Sequence, residues 1–571
     1  MKKFIVALLA LCLVRVDVQI TPSAVAGETW CRSGDISSPC RWPVHKILVT
    51  LRTDLFREEK FSYVMASTLL AAQTRRIRPI YIHCKPDQGY DERFDTVLMV
   101  NGSVAVLNQL TKSVLGYPGL AIDESYPGAN LEGRERAFVF ERVCKEVERA
   151  LAAGEEPVVY CTLLYYNARG SLALLRELKR KFGPRVRTGV GGQLVATCFN
   201  AYRSGENASF IDQVAVGDAE VCLEQMLAGK PFVVGRKKVT TTDHYTPPFY
   251  GDESYLGLAE RLDEMSRYQF GDITGIRQLI TESVRGCSWA YGIGKPCNFC
   301  SLDGVTERPV FRDLEAHFRI EQDLAEKFQV NWLFDVSNQF LPVIKPAEQV
   351  EWLKHYVAAR KRFNALAINR YVYLTTNSIT ADTAPLLREA GVRCAYIGID
   401  GWDTTTKRAM HKTLAPHERA LEVCKANGIY VRTSLVIGSG LTPQNLDDLP
   451  RFVKNTMERF GGKPILSFGN FLEIVLPGSP DWANLRREAF DPKNSGNAVP
   501  GKIRELYRRF ETQGYLALEE QELLNELRIR HTQPLVEYEA VVAARDKAAE
   551  AVKKSETISI TIRECEKLEK S

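Results

Sequence analysis

Strand-like and helix-like segments alternate along most of this chain, in two consecutive series. The first series places strand patterns at 46–51, 78–83, 156–161, 187–192 and 211–216, with helical spacing at 61–76 and 168–182. Apolar runs of strand length that alternate with amphipathic helices favour a parallel sheet with helices packed on it. The first series therefore predicts an α/β, Rossmann-like (doubly wound) domain, whose ligands lie beyond the carboxyl ends of the strands.

A second series begins near residue 277 and contains six strand patterns. They lie at 277–284, 331–335, 366–374, 393–400, 430–438 and 465–475, with a helix predicted over 312–328. Six βα units predict a partial (β/α)6 barrel of the TIM type, with its active site at the carboxyl ends of the strands. The remainder, with amphipathic spacing at 501–527 and 536–555, predicts a mostly helical C-terminal region.

These patterns divide the chain into five parts. We expect an N-terminal extension at 1–44, the first α/β domain at 45–230, a turn-rich linker at 231–272, the barrel at 273–482 and the helical region at 483–571. The extension resembles a secretory signal, with Lys2 and Lys3 before an apolar run at 4–14. Arg15 and Asp17 interrupt it, so we expect an extension and a cytoplasmic protein.

The composition is that of an ordinary globular protein. A net charge of +5 over 75 basic and 70 acidic residues gives no bulk attraction for nucleic acid. The fourteen cysteines are mostly scattered singly, which is typical of a reducing compartment and not of a disulfide framework. The apolar run at 4–14 is shorter than the roughly 20 residues that span a bilayer, so we expect no transmembrane span.

Three cysteines are clustered, and they follow the first strand of the second series. Cys287, Cys297 and Cys300 form the pattern C-x9-C-x2-C. Three thiolates on one loop hold three irons of a [4Fe–4S] cluster and leave the fourth iron open. A structural zinc site needs four ligands, yet the next cysteine is Cys394 and the next histidine is His317. The spacing favours the cluster, while a metal-sensing or structural protein remains an alternative.

Four further segments accompany the cysteines. They are LTTNSITADTAPLLREAG at 374–391, YIGIDG with KRAMHK at 396–401 and 407–412, VIGSGLTPQN at 436–445 and VLPGSP at 475–480. Together with the cysteines they resemble the radical SAM superfamily, whose enzymes use S-adenosylmethionine (SAM). Most members have C-x3-C-x2-C, so this chain has six extra residues. We expect the glycine-containing stretch 289–296 to form a loop that shapes access to the site.

The resemblance also implies roles for residues at strand ends. Phe299 would lie near the adenine of SAM, and the methionine amino group would contact the end of the second barrel strand. The contacts implied for that amino group are Asp335, Ser337 and Asn338, and those implied for the carboxylate and ribose are Arg370, Thr376 and Asp400.

The first series is similar to the cobalamin-binding domain that precedes many radical SAM barrels. The resemblance places cobalamin against Thr162, Leu163, Gly191, Gly192 and Gly217. The D-x-H-x-x-G motif of other cobalamin domains is absent. Cobalamin bound here would therefore lack a histidine ligand from this motif.

The resemblance therefore implies a cobalamin-dependent radical SAM enzyme, most simply a methyltransferase that acts on an unactivated carbon. Its substrate would be a small molecule or a peptide, and its electron donor a flavodoxin or ferredoxin. Two alternatives remain open: cyclisation or rearrangement with the same cofactors, and a radical SAM enzyme without cobalamin that modifies tRNA or a peptide.

Overall fold

The fold is described from a computed structural model of the chain. The structure describes residues 78–84, 93–101 and 104–109 and, apart from short gaps, residues 143–235 and 278–559. The N-terminal extension, the predicted strand at 46–51, the predicted helix at 61–76 and most of the predicted linker lie outside the described residues.

The first part of the chain forms a seven-stranded sheet. Its strands are β1 (Arg78–Cys84), β2 (Arg93–Asn101), β3 (Val104–Gln109), β4 (Val158–Thr162), β5 (Arg187–Gly191), β6 (Gln213–Gly217) and β7 (Phe232–Gly235). Strands β1 to β3 pair antiparallel, whereas β3 to β7 are parallel. The helices between the parallel strands are α1 (Ala168–Phe182), α2 (Gln193–Thr197) and α3 (Phe199–Arg203).

The α/β class and the parallel strands agree with the sequence prediction, but the strand order does not. The seven described strands neighbour one another in the order of the sequence. A doubly wound sheet reverses its strand order at a switch point, where a crevice opens for the ligand. The prediction of a doubly wound order is therefore wrong for these strands, because local patterns do not specify the edge to which each crossover adds a strand.

The second sheet has six strands, all parallel and also in sequential order. They are β8 (Gln278–Thr281), β11 (Trp332–Asp335), β12 (Asn369–Leu374), β13 (Val392–Gly398), β14 (Tyr430–Ile437) and β15 (Ile465–Leu472). A short antiparallel ribbon of β9 (Val284–Arg285) and β10 (Val310–Phe311) flanks the cysteine segment. The predicted run of six parallel strands is thus present.

The helices of this part follow the strands. They are α4 (Ser288–Ile293), α5 (Leu314–Phe328), α6 (Pro346–Arg362), α7 (Thr383–Glu389), α8 (Thr404–Ala409), α9 (His417–Ala426) and α10 (Pro443–Phe460). Val372, Leu374 and Ile397 are buried in the core that the sheet shares with these helices. The alternate residues Tyr371 and Tyr373 of β12 are not part of that core, because successive side chains of a strand point to opposite faces of the sheet.

Four helices complete the described chain: α11 (Pro480–Ala489), α12 (Ala498–Gln513), α13 (Leu518–Thr532) and α14 (Tyr538–Ser559). Leu485, Leu506 and Leu527, from the first three, are buried in the same core as the first sheet. Val541 of α14 is instead buried in the core of the second sheet. The C-terminal helices therefore contribute to both cores. Among the described residues, no helix is long and apolar enough to cross a membrane.

Candidate active site at the cysteine loop

The three cysteines flank α4, which follows the first barrel strand. Cys287 comes directly before this helix, and Cys297 and Cys300 come after it. The Cys287 sulfur caps this helix by accepting a hydrogen bond from the amide of Ala290 at 3.5 Å, and Gly294 ends it at φ 70°. The stretch 289–296 is therefore largely helical and not the loop that the glycines predicted, because Cys287 and Gly294 supply both caps. None of these three cysteines forms a disulfide, and all three are partly exposed.

A second segment, 410–412, fastens the cysteine loop in place. The indole Nε1 of Trp289 donates to the His411 carbonyl at 3.0 Å. The His411 Nδ1 lies 3.0 Å from the Pro296 carbonyl, and the Asn298 amide donates to the Met410 carbonyl at 3.4 Å. His411 adopts φ 57°, a region that residues other than glycine rarely occupy. Contacts on both sides of Cys297 thus hold the loop against this segment.

Lys412 places a positive charge beside Cys297. Its Nζ lies 2.8 Å from Asp400 Oδ2 and 5.4 Å from the centre of the Phe299 ring. Burial raises the pKa of the Cys297 thiol, and Lys412, which contacts that thiol, opposes the shift. Burial lowers the pKa of Lys412 itself, but Asp400 and Cys297 outweigh it and raise the pKa above the usual value. The ammonium therefore stays charged beside the thiol.

The donor set of the cysteine segment fits an iron–sulfur cluster, because three thiols lie on one segment of the chain. Within the described ranges, no three His, Cys, Asp or Glu side chains come together as ligands for one ion. A cluster makes a different demand, because each thiolate binds a different iron. Three partly exposed thiols on one segment, with the Lys412 ammonium beside Cys297, match that demand.

Asp335 and Ser337, predicted to contact SAM, are both fully buried at the end of β11. The Asp335 carboxylate accepts from the amides of Ser283 and Ser337 at 3.2 and 3.0 Å. The Ser337 hydroxyl accepts from the amides of Ser283 and Val284 at 3.0 and 2.7 Å. In this structure both side chains therefore connect β11 to the segment that leads into the cysteine loop.

Arg370 lies away from the cysteine loop. It is the second residue of β12, near the end of the strand opposite to the carboxyl edge. Its buried guanidinium forms a two-point ion pair with Glu321 on α5 and donates from Nε to the Ala390 carbonyl at 2.9 Å. Burial raises the pKa of Glu321, but the opposing effects of Arg370 and His317 are larger together, so the pKa lies below its usual range. The structure gives Arg370 a core-stabilising contact and does not support its predicted contact with SAM.

The other residues predicted to contact SAM lie at the carboxyl edge of the sheet. Thr376 follows β12 and Asn338 follows β11, where Asn338 is exposed. Asp400 follows β13 at φ 37° and pairs with Lys412. Phe299 and Asp400 are thus brought together through Lys412. Contacts between these four residues and SAM remain predictions.

The residues predicted to contact cobalamin gather at the carboxyl edge of the first sheet. Thr162 at the end of β4 pairs with Gly191 at the end of β5, and Gly217 ends the adjacent β6. Gly192 and Gly217 have φ values of 99° and 113°, so both positions require glycine. The Leu163 side chain is buried in the core of the sheet, which leaves only its backbone for a ligand.

The same edge touches the cysteine loop. Gln193 is the first residue of α2. Its side-chain amide donates a hydrogen bond to the hydroxyl of Ser301, the residue after Cys300. A Cβ on Gly478 would lie 2.8 Å from the Thr197 hydroxyl and 3.5 Å from the Ser301 carbonyl. The carboxyl edges of the two sheets therefore meet at Ser301.

Sequence reasoning missed the roles of two of these residues. Lys412 ends a segment that carries the family resemblance, so a basic residue there was a usable signal. Gln193 carried no such signal, because its partner is more than a hundred residues away in the chain.

Comparison with known proteins agrees with this geometry. Residues 281–453 match the profile of the radical SAM superfamily. The hopanoid C-2 methylase of Rhodopseudomonas palustris (strain TIE-1) is 25% identical over 309 residues, which cover 52% of this chain and 52% of that protein. The chain thus matches about half the length of this relative.

Two solved structures resemble the chain at lower identity. The radical SAM methyltransferase TsrM of Kitasatospora setae, with cobalamin and a [4Fe–4S] cluster bound, is 16% identical, with a TM-score of 0.42 over 60% of this chain and 67% of that one. The cobalamin-dependent SAM radical enzyme OxsB, with aqua-cobalamin and SAM bound, is 12% identical, with a TM-score of 0.49 over 79% of each chain.

The profile match covers the cysteine loop, Lys412 and four of the six barrel strands, β11 to β14. It confirms the predicted radical SAM domain, and with it the [4Fe–4S] cluster and SAM that such a domain uses. Residues 281–453 of this chain are therefore similar to a radical SAM domain, as the sequence motifs predicted.

Proposed function

We propose that this protein is a cobalamin-dependent radical SAM methyltransferase that acts on an unactivated carbon. The observation that carries the proposal is the meeting of the two carboxyl edges at Ser301, next to Cys300. A cofactor on the edge of the first sheet would lie beside the cluster loop. The methylase relative supports methyl transfer as the reaction.

The protein's part in this reaction is to hold the cluster, SAM and cobalamin and to exclude water. Cys287, Cys297 and Cys300 would bind the cluster, and Lys412 holds positive charge beside them. When bound, the cluster and SAM supply a radical that removes hydrogen from carbon, and cobalamin supplies the methyl group. Gly192 and Gly217 let backbone approach a bulky ligand without a Cβ in the way.

The first test is cobalt binding. Protein purified without oxygen and reconstituted with iron, sulfide and hydroxocobalamin is expected to hold about one cobalt per chain, read by metal analysis and the corrin absorption spectrum. Gly192→Val, with a β-branched side chain at φ 99°, is expected to lose cobalt while it keeps iron. A parent protein that keeps its iron yet binds no cobalt would remove cobalamin from the proposal.

The second test is the reaction itself. With SAM, a reductant and a hopanoid as the first substrate to try, we expect three products. They are 5′-deoxyadenosine, S-adenosylhomocysteine and a substrate in which one methyl group has replaced a hydrogen. Formation of 5′-deoxyadenosine without S-adenosylhomocysteine would favour cyclisation or rearrangement. Replacement of the chemical reductant by a flavodoxin or ferredoxin tests the predicted electron donor.

A further inference from the structure

Asn298, between the second and third cysteines, is tied to the C-terminal side of the barrel. Its side-chain amide donates to Asp481 Oδ1 at 2.8 Å and to the Ser439 hydroxyl at 3.3 Å. Its carbonyl accepts from the amide of Asp481 at 3.1 Å. Three hydrogen bonds thus join the short Cys297–Cys300 turn to Asp481 and Ser439.

The partners of Asn298 are in turn held by Arg528, which α13 places at the carboxyl edge of the barrel. The Arg528 side chain is only 2% exposed, and its Nη1 lies 2.8 Å from the Gly438 carbonyl. The guanidinium lies 3.4 Å from Asp481 Oδ2 and 3.4 Å from Glu473 Oε2. One buried cation therefore faces two carboxylates.

Glu473 completes the group. Its carboxylate is fully buried just after β15 and accepts from the Ser439 hydroxyl at 2.7 Å. Burial raises the pKa of Glu473, and Arg528 opposes the shift. A Cβ on Gly438 would lie 2.4 Å from both Arg528 Nη2 and Glu473 Cβ, so the pair needs a glycine at this position.

We propose that Arg528 is a positioning residue for the iron–sulfur cluster, acting through Asp481 and Asn298 on the turn that carries Cys297 and Cys300. The network of Asn298, Ser439, Glu473, Asp481 and Arg528 joins α13 to this turn. A helix outside the matched domain thereby sets the orientation of two cluster ligands. Partners that orient metal ligands affect metal retention even though they do not touch the metal.

The test compares iron retention among variants of the full reconstituted protein. Arg528→Met and Asn298→Ala are each expected to release iron to a chelator about tenfold faster than the parent and to change the electron paramagnetic resonance (EPR) spectrum of the reduced cluster. Arg528→Lys, which keeps the charge, is expected to lie between parent and Arg528→Met. The control is Arg530→Met, on the same helix with a side chain 43% exposed, which should release iron at the parent rate.

A double variant separates positioning from general loss of stability. If Arg528 acts through Asn298, Arg528→Met combined with Asn298→Ala should release iron no faster than the faster single variant. Multiplied effects, or an Arg528→Met protein with the parent's iron release and spectrum, would overturn the proposal. Should Arg528→Met fail to fold, Arg528→Lys with Asn298→Ala gives the same comparison. Iron release and the EPR spectrum do not depend on methyl transfer, so the test holds whichever reaction the protein catalyses.

Discussion

At the scale of single residues, the site depends on one cation that touches several groups. Lys412 contacts the Cys297 thiol, the Asp400 carboxylate and the Phe299 ring. Asp400 and His411 both have positive φ, so the backbone on either side of this cation departs from the usual conformations. Such departures persist only where surrounding contacts enforce them, and here those contacts converge on the cysteine loop.

Lys412→Met removes this positive charge and is expected to make the cluster harder to reduce. A cation stabilises the more negative, reduced state, and hydrogen bonds to ligand sulfurs act in the same direction. We expect a roughly tenfold shift in the reduction equilibrium, which is about 59 mV for one electron, measured by a redox titration followed by EPR. Lys412→Arg, which keeps the charge, should stay close to the parent. An unchanged potential in Lys412→Met would show that the ammonium does not act on the cluster.

At the scale of elements, sequence patterns located the six strands of the second sheet, but they did not predict β2, β3 and β7 or the strand order of the first sheet. The helix predicted at 168–182 is α1, and each barrel strand falls within its predicted stretch or differs from it by a residue. Periodicity reports which face of an element is buried, and that is a local property. Sheet order and the partners of Arg370 depend on contacts between distant residues. The helix α4 was missed because its glycines masked a segment that Cys287 caps.

The start of α9 gives a pH-dependent prediction. His417 is buried and lies 5.0 Å from the Phe452 ring. Its Nδ1 lies 3.4 Å from the Glu418 carboxylate, and its Nε2 has no hydrogen-bond partner among the residues that the structure describes. Burial lowers its pKa from 6.5 to about 4. The folded state therefore binds fewer protons than the unfolded state between these values, and stability falls as pH falls through this window.

We expect the free energy of unfolding to drop by about 3 kcal/mol from this residue between pH 6.5 and pH 4. His417→Leu cannot take up the proton, so it should lose correspondingly less stability over the same range. Urea unfolding at pH 7, 5.5 and 4 measures the difference between the two proteins. Parallel pH profiles for parent and variant would contradict the assignment.

At the scale of the whole molecule, the C-terminal helices share the cores of both sheets. Leu485 and Leu527 belong to the same buried core as Val190 of the first sheet, whereas Val541 belongs to the same core as Val431 of the second. Tyr202 and Asn207, near the first sheet, donate hydrogen bonds to the carbonyls of Gly514 and Gln513 at the end of α12. Unfolding of these helices would therefore expose apolar surface of both sheets.

Leu485→Ala tests this coupling. The side chain is 1% exposed, so its truncation is expected to cost about 2 to 5 kcal/mol. Hydrogen exchange should speed up in β5 and β6 as well as in α11, because all three lie around one core. Leu523→Ala, at a position 37% exposed on α13, is the matched control and should change little. Faster exchange confined to α11 would show that the helix unfolds independently of the sheet.

The contact between Gln193 and Ser301 also links the ligand edge of the first sheet to the cluster loop. Ser301 is bonded to the first sheet through its side chain and directly follows a cysteine of the cluster loop. We therefore expect a ligand bound at the edge of that sheet to change the EPR spectrum of the cluster through this one residue. The cluster spectrum can therefore report on occupancy of the neighbouring domain without an attached label, and a ligand of the first sheet can be sought before any product is known.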